Sequence, residues 1–222
     1  MQLGKASDFQ LFVFQAKRLL LLSSVFGLFL STLLIFKGDK NLFIWINQNL
    51  TPEIGWIAIY FSLFGEWFAM VFLFLISLWK SFRKTFAVAI SWLLGACFSW
   101  IFKLWLLSGL ARPFRYFSSE GIHLQLVEGV DVHNYNTFPS GHTLTAFSSL
   151  LLFKFVFSNL NGWFEMLIFC MAIGCGISRI ILVQHWPADV LGGMILGLLA
   201  SLMGIYLSSK LKKKPFWDSS FL

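Results

Sequence analysis

The sequence predicts an all-α, polytopic membrane protein with six transmembrane helices. Of its 222 residues, 58% are apolar and only 12% are charged, whereas about 25% of the residues in an average soluble domain are charged. The mean hydropathy is +0.76, and the apolar residues form runs long enough to cross a bilayer. The basic residues stand in short clusters between these runs, a pattern that is typical of a topology signal and argues against a nucleic-acid partner.

Six apolar runs supply the spans of a single membrane-embedded domain over residues 1–222. Leu19 to Phe36 and Thr85 to Phe102 are each uncharged for 18 residues, which is long enough for one span. Between the first two runs, Asn41 to Asn47 has the aromatic, amphipathic composition of a short interfacial helix. The predicted spans are approximately 19–36, 54–79, 85–107, 141–158, 163–182 and 188–209.

Charged residues also fall within the predicted spans, and a long polar segment separates the third span from the fourth. Glu66 lies inside the second run; a carboxylate at membrane depth is expensive, so we expect it to face the bundle and pair with Lys103 or an arginine. The alternative is a helix that begins later and leaves Glu66 in water. Lys154 is close enough to the end of the fourth span to snorkel. Ser108 to Phe138 is polar and aperiodic. A loop of this length favours a lid that covers the functional site.

The basic residues also predict an orientation. Six spans place both termini on one side, and the N-terminal segment, the loop at Lys80, the end of the fourth span and the tail from Lys210 to Lys214 carry most of the 17 basic residues. The positive-inside rule makes these regions cytoplasmic. We therefore expect an inner-membrane protein whose turns at His142 and His185 lie on the outer, periplasmic face.

Pro139 to His142 opens the fourth span with residues suited to an anion. A helix start exposes backbone N–H groups that have no intrahelical acceptor, and such an end attracts anions. Gly141 allows a close approach to the backbone, Ser140 adds a hydroxyl donor and His142 is able to supply a proton. The alternative interpretation is an ordinary helix cap with an incidental histidine.

Ser178 to Asp189 places three ionisable side chains where one apolar helix ends and the next begins. Arg179 lies inside the apolar run, where an ionisable residue indicates a functional site. Asp189 follows His185 by four residues, so its carboxylate is able to hold one ring nitrogen and leave the other free as a nucleophile or base. The alternative is an arginine that snorkels beside an interfacial histidine.

Upstream, Lys103 and Arg112 add two permanent positive charges on the same predicted face. A guanidinium suits phosphate oxygens, although alone these residues would be read as interfacial anchors. No P-loop or carboxylate cluster for magnesium is present in the sequence, so we expect neither a metal nor a cofactor. Cys97, Cys170 and Cys175 lie in apolar segments and predict neither a disulfide framework nor a zinc site.

Together the three blocks resemble the type 2 phosphatidic acid phosphatase superfamily. Its pattern is Lys-x6-Arg-Pro, then Pro-Ser-Gly-His, then Ser-Arg-x5-His-x3-Asp. The second and third blocks match without a gap, at Pro139 to His142 and at Ser178 to Asp189. The first block differs, since eight residues separate Lys103 from Arg112. The resemblance is close over residues 103–193, and the six-span arrangement extends it to nearly the whole chain.

This resemblance implies a membrane enzyme that hydrolyses a phosphate monoester or pyrophosphate of a lipid through a phosphohistidine. His185 would attack phosphorus, Asp189 would orient it and His142 would protonate the leaving oxygen. The phosphoryl oxygens would be held by Lys103, Arg112, Ser140, Gly141 and Arg179. The expected partners are a lipid phosphate and membrane lipids, with no obligatory protein partner.

Two other function classes fit the residues less well. A lipid-linked phosphotransferase would use the same His185 but pass the phosphoryl group to a second lipid. A non-catalytic transporter or scaffold would explain six spans and buried charge but has no need of both histidines at these spacings. Candidate substrates are phosphatidic acid, phosphatidylglycerol phosphate, a polyprenyl diphosphate and a lipid A phosphate.

Overall fold

The computed structural model describes residues 7–211 and 215–220. Lys5 and the lysines at 212–214, which contribute to the predicted orientation, lie outside these ranges. Within them the secondary structure is helical, without strands, which confirms the all-α class. The helices are α1 (Asp8–Gln15), α2 (Lys17–Lys37), α3 (Asp39–Gln48), α4 (Pro52–Ser62), α5 (Trp67–Lys80), α6 (Phe82–Ile101), α7 (Pro113–Ser119), α8 (Gly141–Val156), α9 (Gly162–Ile181), α10 (Pro187–Ser209) and α11 (Pro215–Asp218).

Several helices have the length and composition of membrane spans. Four qualify singly, namely α2, α6 with its extension to Leu106, α9 and α10. The pair α4 and α5 makes a fifth if both halves belong to one bent span. Large apolar side chains on these helices, such as Phe29, Trp56 and Leu93, are more than half exposed, as expected where lipid covers the surface. The protein is therefore a multi-pass membrane protein, while the count of six spans stays a prediction.

The central helix is α8, which is buried on nearly all sides and has only 16 residues. Phe147, Leu150 and Leu151 are fully buried in its middle, and α5, α6, α9 and α10 surround it. Gly193 and Gly197 of α10 allow a close approach, because a Cβ at Gly193 would lie 2.5 Å from the carbonyl oxygen of Ser140 and one at Gly197 would lie 3.1 Å from the backbone nitrogen of Ser148. Small residues of this kind let helices pack closely in lipid. The bundle thus holds the start of α8 firmly against α10.

The predicted second span is broken at Glu66. Helix α4 ends at Ser62, a 3₁₀ turn covers Leu63–Gly65, and Glu66 is extended, with φ −74° and ψ 159°. Helix α5 begins at the next residue and is bent by 41° from the preceding segment. The break brings the Glu66 carboxylate to the start of α8, where its side chain is 36% exposed.

The long segment before α8 packs against α3 and against the start of α10. Its short helix α7 places Phe117 against Phe43 and Trp186, with ring centroids 5.5 and 5.6 Å away. The amide of Asn47 in α3 donates to the carbonyl of Gln125 at 2.8 Å and accepts from its backbone N–H at 3.0 Å. The predicted amphipathic helix is observed as α3, and it anchors this segment.

Lys154 does not snorkel, which corrects the sequence-based expectation. Its ammonium lies 2.6 Å from the carboxylate of Glu165 in α9, and the two side chains are only 8% and 9% exposed. Nearby, Nζ of Lys84 donates to the carbonyl of Val156 at 2.8 Å, at the C-terminus of α8. The lysine is buried because an acidic residue on the adjacent helix neutralises it, a contact that the local sequence does not show.

This buried pair predicts a large loss of stability when one partner is removed. Lys154→Met leaves Glu165 buried without a counter-charge, which should lower the free energy of unfolding by about 3 kcal/mol. Lys154→Met combined with Glu165→Leu should recover most of that loss, while Lys37→Met, at an exposed lysine, should be nearly neutral. Denaturation midpoints in detergent measure all three, and equal losses in the single and double variants would contradict the interpretation.

Candidate active site

The predicted site residues converge where α8 and α10 begin and α9 ends. The backbone N–H of Ser140 donates to the carbonyl of Asp189 at 3.1 Å, which joins the two helix starts. After α9 the chain turns sharply, with φ +58° at Val183. The backbone N–H groups of Gln184 and His185 both donate to the carbonyl of Arg179, at 3.0 and 3.1 Å. This turn directs the imidazole of His185 toward the residues of the other two sequence blocks.

His185 is held by Asp189 in the buried part of the site. Its Nδ1 lies 3.4 Å from Oδ2 of Asp189, and the residue is only 2% exposed. The same Oδ2 accepts the Thr137 hydroxyl and the backbone N–H of Trp186, the latter at 2.8 Å. Burial, followed by the charges of Arg112 and other cations, places the pKa of His185 well below its usual value. The imidazole is therefore neutral, and Nε2 is the ring nitrogen that does not face Asp189.

Arg112 lies directly beside that nitrogen. Its Nη1 is 3.5 Å from Nε2 of His185 and donates to the carbonyl of Gln184 at 2.9 Å. Its Nε donates to the carbonyl of Tyr135, also at 2.9 Å. Burial lowers the pKa of Arg112, and the charge of Asp189 opposes this shift. Neutral carbonyl groups thus hold the guanidinium in place without cancelling its charge.

Lys103 reaches the same site despite its longer spacer. It lies in a π-helical turn, Phe102–Leu106, that extends α6. Such a turn contains more residues than an α-helical turn, and it lies at the start of the enlarged spacer. Nζ of Lys103 is 3.7 Å from the position that a Cβ would occupy on Gly141. The ammonium therefore lies next to Gly141, at the start of α8.

Arg179 has a buried donor without a partner. The residue is 9% exposed, and its Nη1 donates to the hydroxyl of Ser62 at 2.5 Å. Its Nε has no hydrogen-bond partner among residues 7–211 and 215–220. Since buried donors are rarely left unpaired, this atom is suited to a bound anion.

The remaining predicted residues lie at the start of α8. The hydroxyl oxygen of Ser140 accepts the hydroxyl of Thr143 at 2.8 Å and its backbone N–H at 3.4 Å, so Ser140 caps the helix. Nε2 of His142 lies 2.9 Å from Oε1 of Glu66. The expectation that Glu66 pairs with Lys103 or an arginine was wrong. Because the second span breaks at this residue, its carboxylate reaches the histidine instead.

Sequence reasoning missed several residues that support the site. Ser62 contacts Arg179, and Thr137 contacts Asp189. Asp39 of α3 accepts the backbone N–H of Ala188 at 2.9 Å, at the start of α10. Only Thr137 had a usable signal, since it is polar and lies two residues before the block Pro139 to His142.

The fold and this site define a class: a multi-pass helical membrane protein with a buried cationic pocket around two histidines. A family model described as the PAP2 superfamily matches residues 86–213, more than half of the chain. The chain belongs to the PAP2 superfamily, which confirms the resemblance found in its three sequence blocks.

Two curated relatives match shorter segments. Over 80 residues the chain is 36% identical to the lipid A 1-phosphatase of Porphyromonas gingivalis, covering 36% of this chain and 18% of that protein. Over 76 residues it is 40% identical to the bacitracin transport permease protein BcrC of Bacillus licheniformis, covering 34% of this chain and 36% of that protein. The matches thus span well under half the length of both relatives.

Two solved structures share the fold. The crystal structure of Aquifex aeolicus LpxE has a TM-score of 0.63 at 19% identity and covers 76% of this chain and 94% of that one. A PAP2-type phosphatidylglycerolphosphate phosphatase from Bacillus subtilis has a TM-score of 0.60 at 20% identity, covering 87% and 97%. At these identities the likeness concerns the fold.

The cap of α10 predicts a specific pH dependence of stability. Burial, with a smaller contribution from Asp189, raises the pKa of Asp39 from 3.8 to about 6. The folded protein therefore holds this proton more tightly than the unfolded chain, and the resulting stability is lost as the pH rises from about 4 to about 6. Asp39→Asn should lack this loss, because its amide oxygen still accepts the Ala188 N–H and does not ionise.

Thermal midpoints in detergent between pH 4 and 7 test this expectation. The midpoint of Asp39→Asn should rise relative to the unsubstituted protein as the pH increases, whereas Asp131→Asn, at an exposed aspartate, should show a constant difference. A constant difference for Asp39→Asn as well would refute the assignment.

Proposed function

We propose that this protein is a membrane lipid phosphatase that hydrolyses a phosphate monoester or pyrophosphate of a lipid through a phosphohistidine. The observation that carries the proposal is the environment of His185. Its Nδ1 faces Asp189 and its Nε2 faces Arg112. A neutral imidazole with a fixed orientation is suited to attack phosphorus. The buried cation beside it is placed to hold the phosphoryl oxygens.

In the first step Nε2 of His185 would form a bond to phosphorus while the bond to the leaving oxygen breaks. His142 would give its proton to that oxygen, and the carboxylate of Asp189 would stabilise the positive charge on the phosphorylated ring. In the second step His142 would accept a proton from water as the water attacks phosphorus. Inorganic phosphate then leaves, and His185 returns to its neutral form.

The phosphoryl oxygens would be held by a fixed set of donors and cations. Preorganised donors of this kind are worth about 3 kcal/mol each in the transition state. The unpaired Nε of Arg179 supports this role, since a phosphoryl oxygen would satisfy it. The proposed set is Lys103, Arg112, Ser140, Gly141 and Arg179. Because these groups would neutralise the developing charge, the reaction should need no metal.

A lipid is the best-supported substrate because an apolar cavity meets the acid side of the site. A cavity of about 270 Å³ between α5, α6 and α8 contains Glu66 and His142 at one end and Trp92, Gly95 and Ala96 further along. An apolar groove of about 320 Å³ shares Trp92 and Ala96. The apolar residues that line both spaces suit a hydrocarbon chain attached to the phosphate. The names of two similar proteins, a lipid A 1-phosphatase and a phosphatidylglycerolphosphate phosphatase, also favour a lipid phosphate.

The nucleophile is tested by His185→Ala. This variant should lose at least about a thousandfold in phosphate release, since removal of a catalytic nucleophile leaves only the binding groups. His123→Ala, at an exposed histidine, is the matched control and should keep full activity. Substrates are the four candidate lipid phosphates, assayed with detergent-purified protein in EDTA.

Retention of more than a few per cent of activity by folded His185→Ala would remove the phosphohistidine from the proposal. Loss of activity in EDTA would contradict metal independence. Phosphate release that required a second lipid as acceptor would favour the phosphotransferase.

We further propose that the protein lies in the inner membrane with this site on the periplasmic face. The supporting observation is the pair of lysines at the opposite end of the bundle, where Lys80 and Lys84 contact the end of α8. Positive charge of this kind marks the cytoplasmic side.

The orientation is tested by cysteine labelling in a background without Cys97, Cys170 and Cys175. Ser119→Cys, exposed in α7 beside the site, should react in intact cells with a thiol reagent that does not cross the inner membrane. Ser209→Cys, at the end of α10, should react only after the membrane is opened. The reverse pattern would overturn the orientation.

A further inference from the structure

The two histidines of the site occupy different environments. The side chain of His185 is 3% exposed, whereas those of His142 and Glu66 are 25% and 36% exposed. His142 and Glu66 both line the cavity between α5, α6 and α8. The acid of the proposed reaction is therefore open toward the space where the leaving group would lie.

The contact between Glu66 and His142 depends on a specific backbone arrangement. The second span breaks immediately before Glu66, so the carboxylate emerges at the level of the start of α8. Gly65 makes the approach possible, because a Cβ there would lie 2.6 Å from the carbonyl oxygen of His142 and 2.5 Å from Sγ of Cys175. Any side chain at this position would push Glu66 away from the histidine.

The hydrogen bond determines which ring nitrogen takes part in chemistry. An ionised carboxylate accepts a hydrogen bond from the protonated Nε2 of His142 at 2.9 Å, which leaves Nδ1 to exchange a proton. The same tautomer suits both steps: Nδ1 gives its proton to the leaving oxygen, and the neutral ring then accepts one from water at Nδ1. Nε2 keeps its proton and its bond to Glu66 throughout.

The charge of Glu66 matters as much as its geometry. Lys103 lies beside Gly141, the residue that precedes His142, and cations of this kind disfavour a second positive charge nearby. A carboxylate in direct contact opposes that effect and stabilises the imidazolium. A general acid in a cationic pocket that holds phosphate therefore needs an anionic partner on the side of its ring that faces away from the phosphate.

We propose that Glu66 is the positioning residue for His142: it fixes the tautomer and supplies the negative charge that allows the histidine to act as general acid. This inference rests on the proposed phosphatase reaction. It adds a carboxylate from the broken second span to the residues of the three sequence blocks.

Leaving-group dependence tests the proposal. A nitrophenolate leaves without a proton, whereas an alkoxide needs one, so loss of the acid matters mainly for alkyl phosphates. Glu66→Gln keeps the shape and an acceptor oxygen but removes the charge. We expect a loss of about tenfold to a hundredfold on a short-chain alkyl phosphate and less than about threefold on p-nitrophenyl phosphate.

The ratio of the two rates is the decisive quantity, because a partly unfolded preparation lowers both rates equally. His142→Ala should show the same selective loss, and Glu66→Gln added to His142→Ala should cause no further change in the ratio. Glu53→Gln, at an exposed glutamate at the other end of the same broken span, should leave the ratio unchanged.

Equal losses on both substrates for Glu66→Gln, or no loss on either, would overturn the role of Glu66. A further change of the ratio in the double variant would also overturn it. These outcomes differ from failure of the phosphatase proposal, which His185→Ala reports separately: if that variant remains active, the reaction itself is misassigned.

Discussion

The concentration of positive charge around a buried, neutral imidazole is the constraint on which the rest of the site depends. Buried cations are costly unless polar groups satisfy them. The structure meets this cost mainly with neutral acceptors, since carbonyl groups hold Arg112 and a hydroxyl holds Arg179. Such partners orient the guanidinium groups while leaving their charge available to an anion. The unpaired Nε of Arg179 is the place where this support is incomplete.

The surrounding helices provide rigid positions for these charges. Helix α8 is packed on nearly all sides, and Gly197 allows α10 to lie directly against it. The hydrogen bond from Ser140 to Asp189 then fixes the two helix starts relative to each other. Less regular segments complete the site: the loop that carries Arg112, the turn after α9 and the break before Glu66. Precise geometry on rigid elements, with loops and turns supplying further contacts, suits a preorganised site.

Environment, more than residue type, separates the two histidines. Burial and the neighbouring cations favour a neutral His185, and Asp189 orients its ring so that the other nitrogen faces Arg112. His142 faces a carboxylate and an apolar cavity. Groups of the same chemical type take different roles when their contacts and surroundings differ. This division fits a reaction that needs a nucleophile and an acid close to the same phosphorus atom.

The sequence alone was sufficient for several features that depend on neighbours along the chain. Apolar run length predicts the helices, the Ser140 cap follows from local helix chemistry, and the four-residue spacing of His185 and Asp189 places them in contact. These are short-range relations, so residue order determines them. The partners of Glu66, Lys154 and Asp39 were not predictable, because each contact joins two different helices and depends on how those helices dock. The break of the second span and the packing of α3 and α9 decide which charged groups meet, and such contacts depend on how whole helices dock in three dimensions.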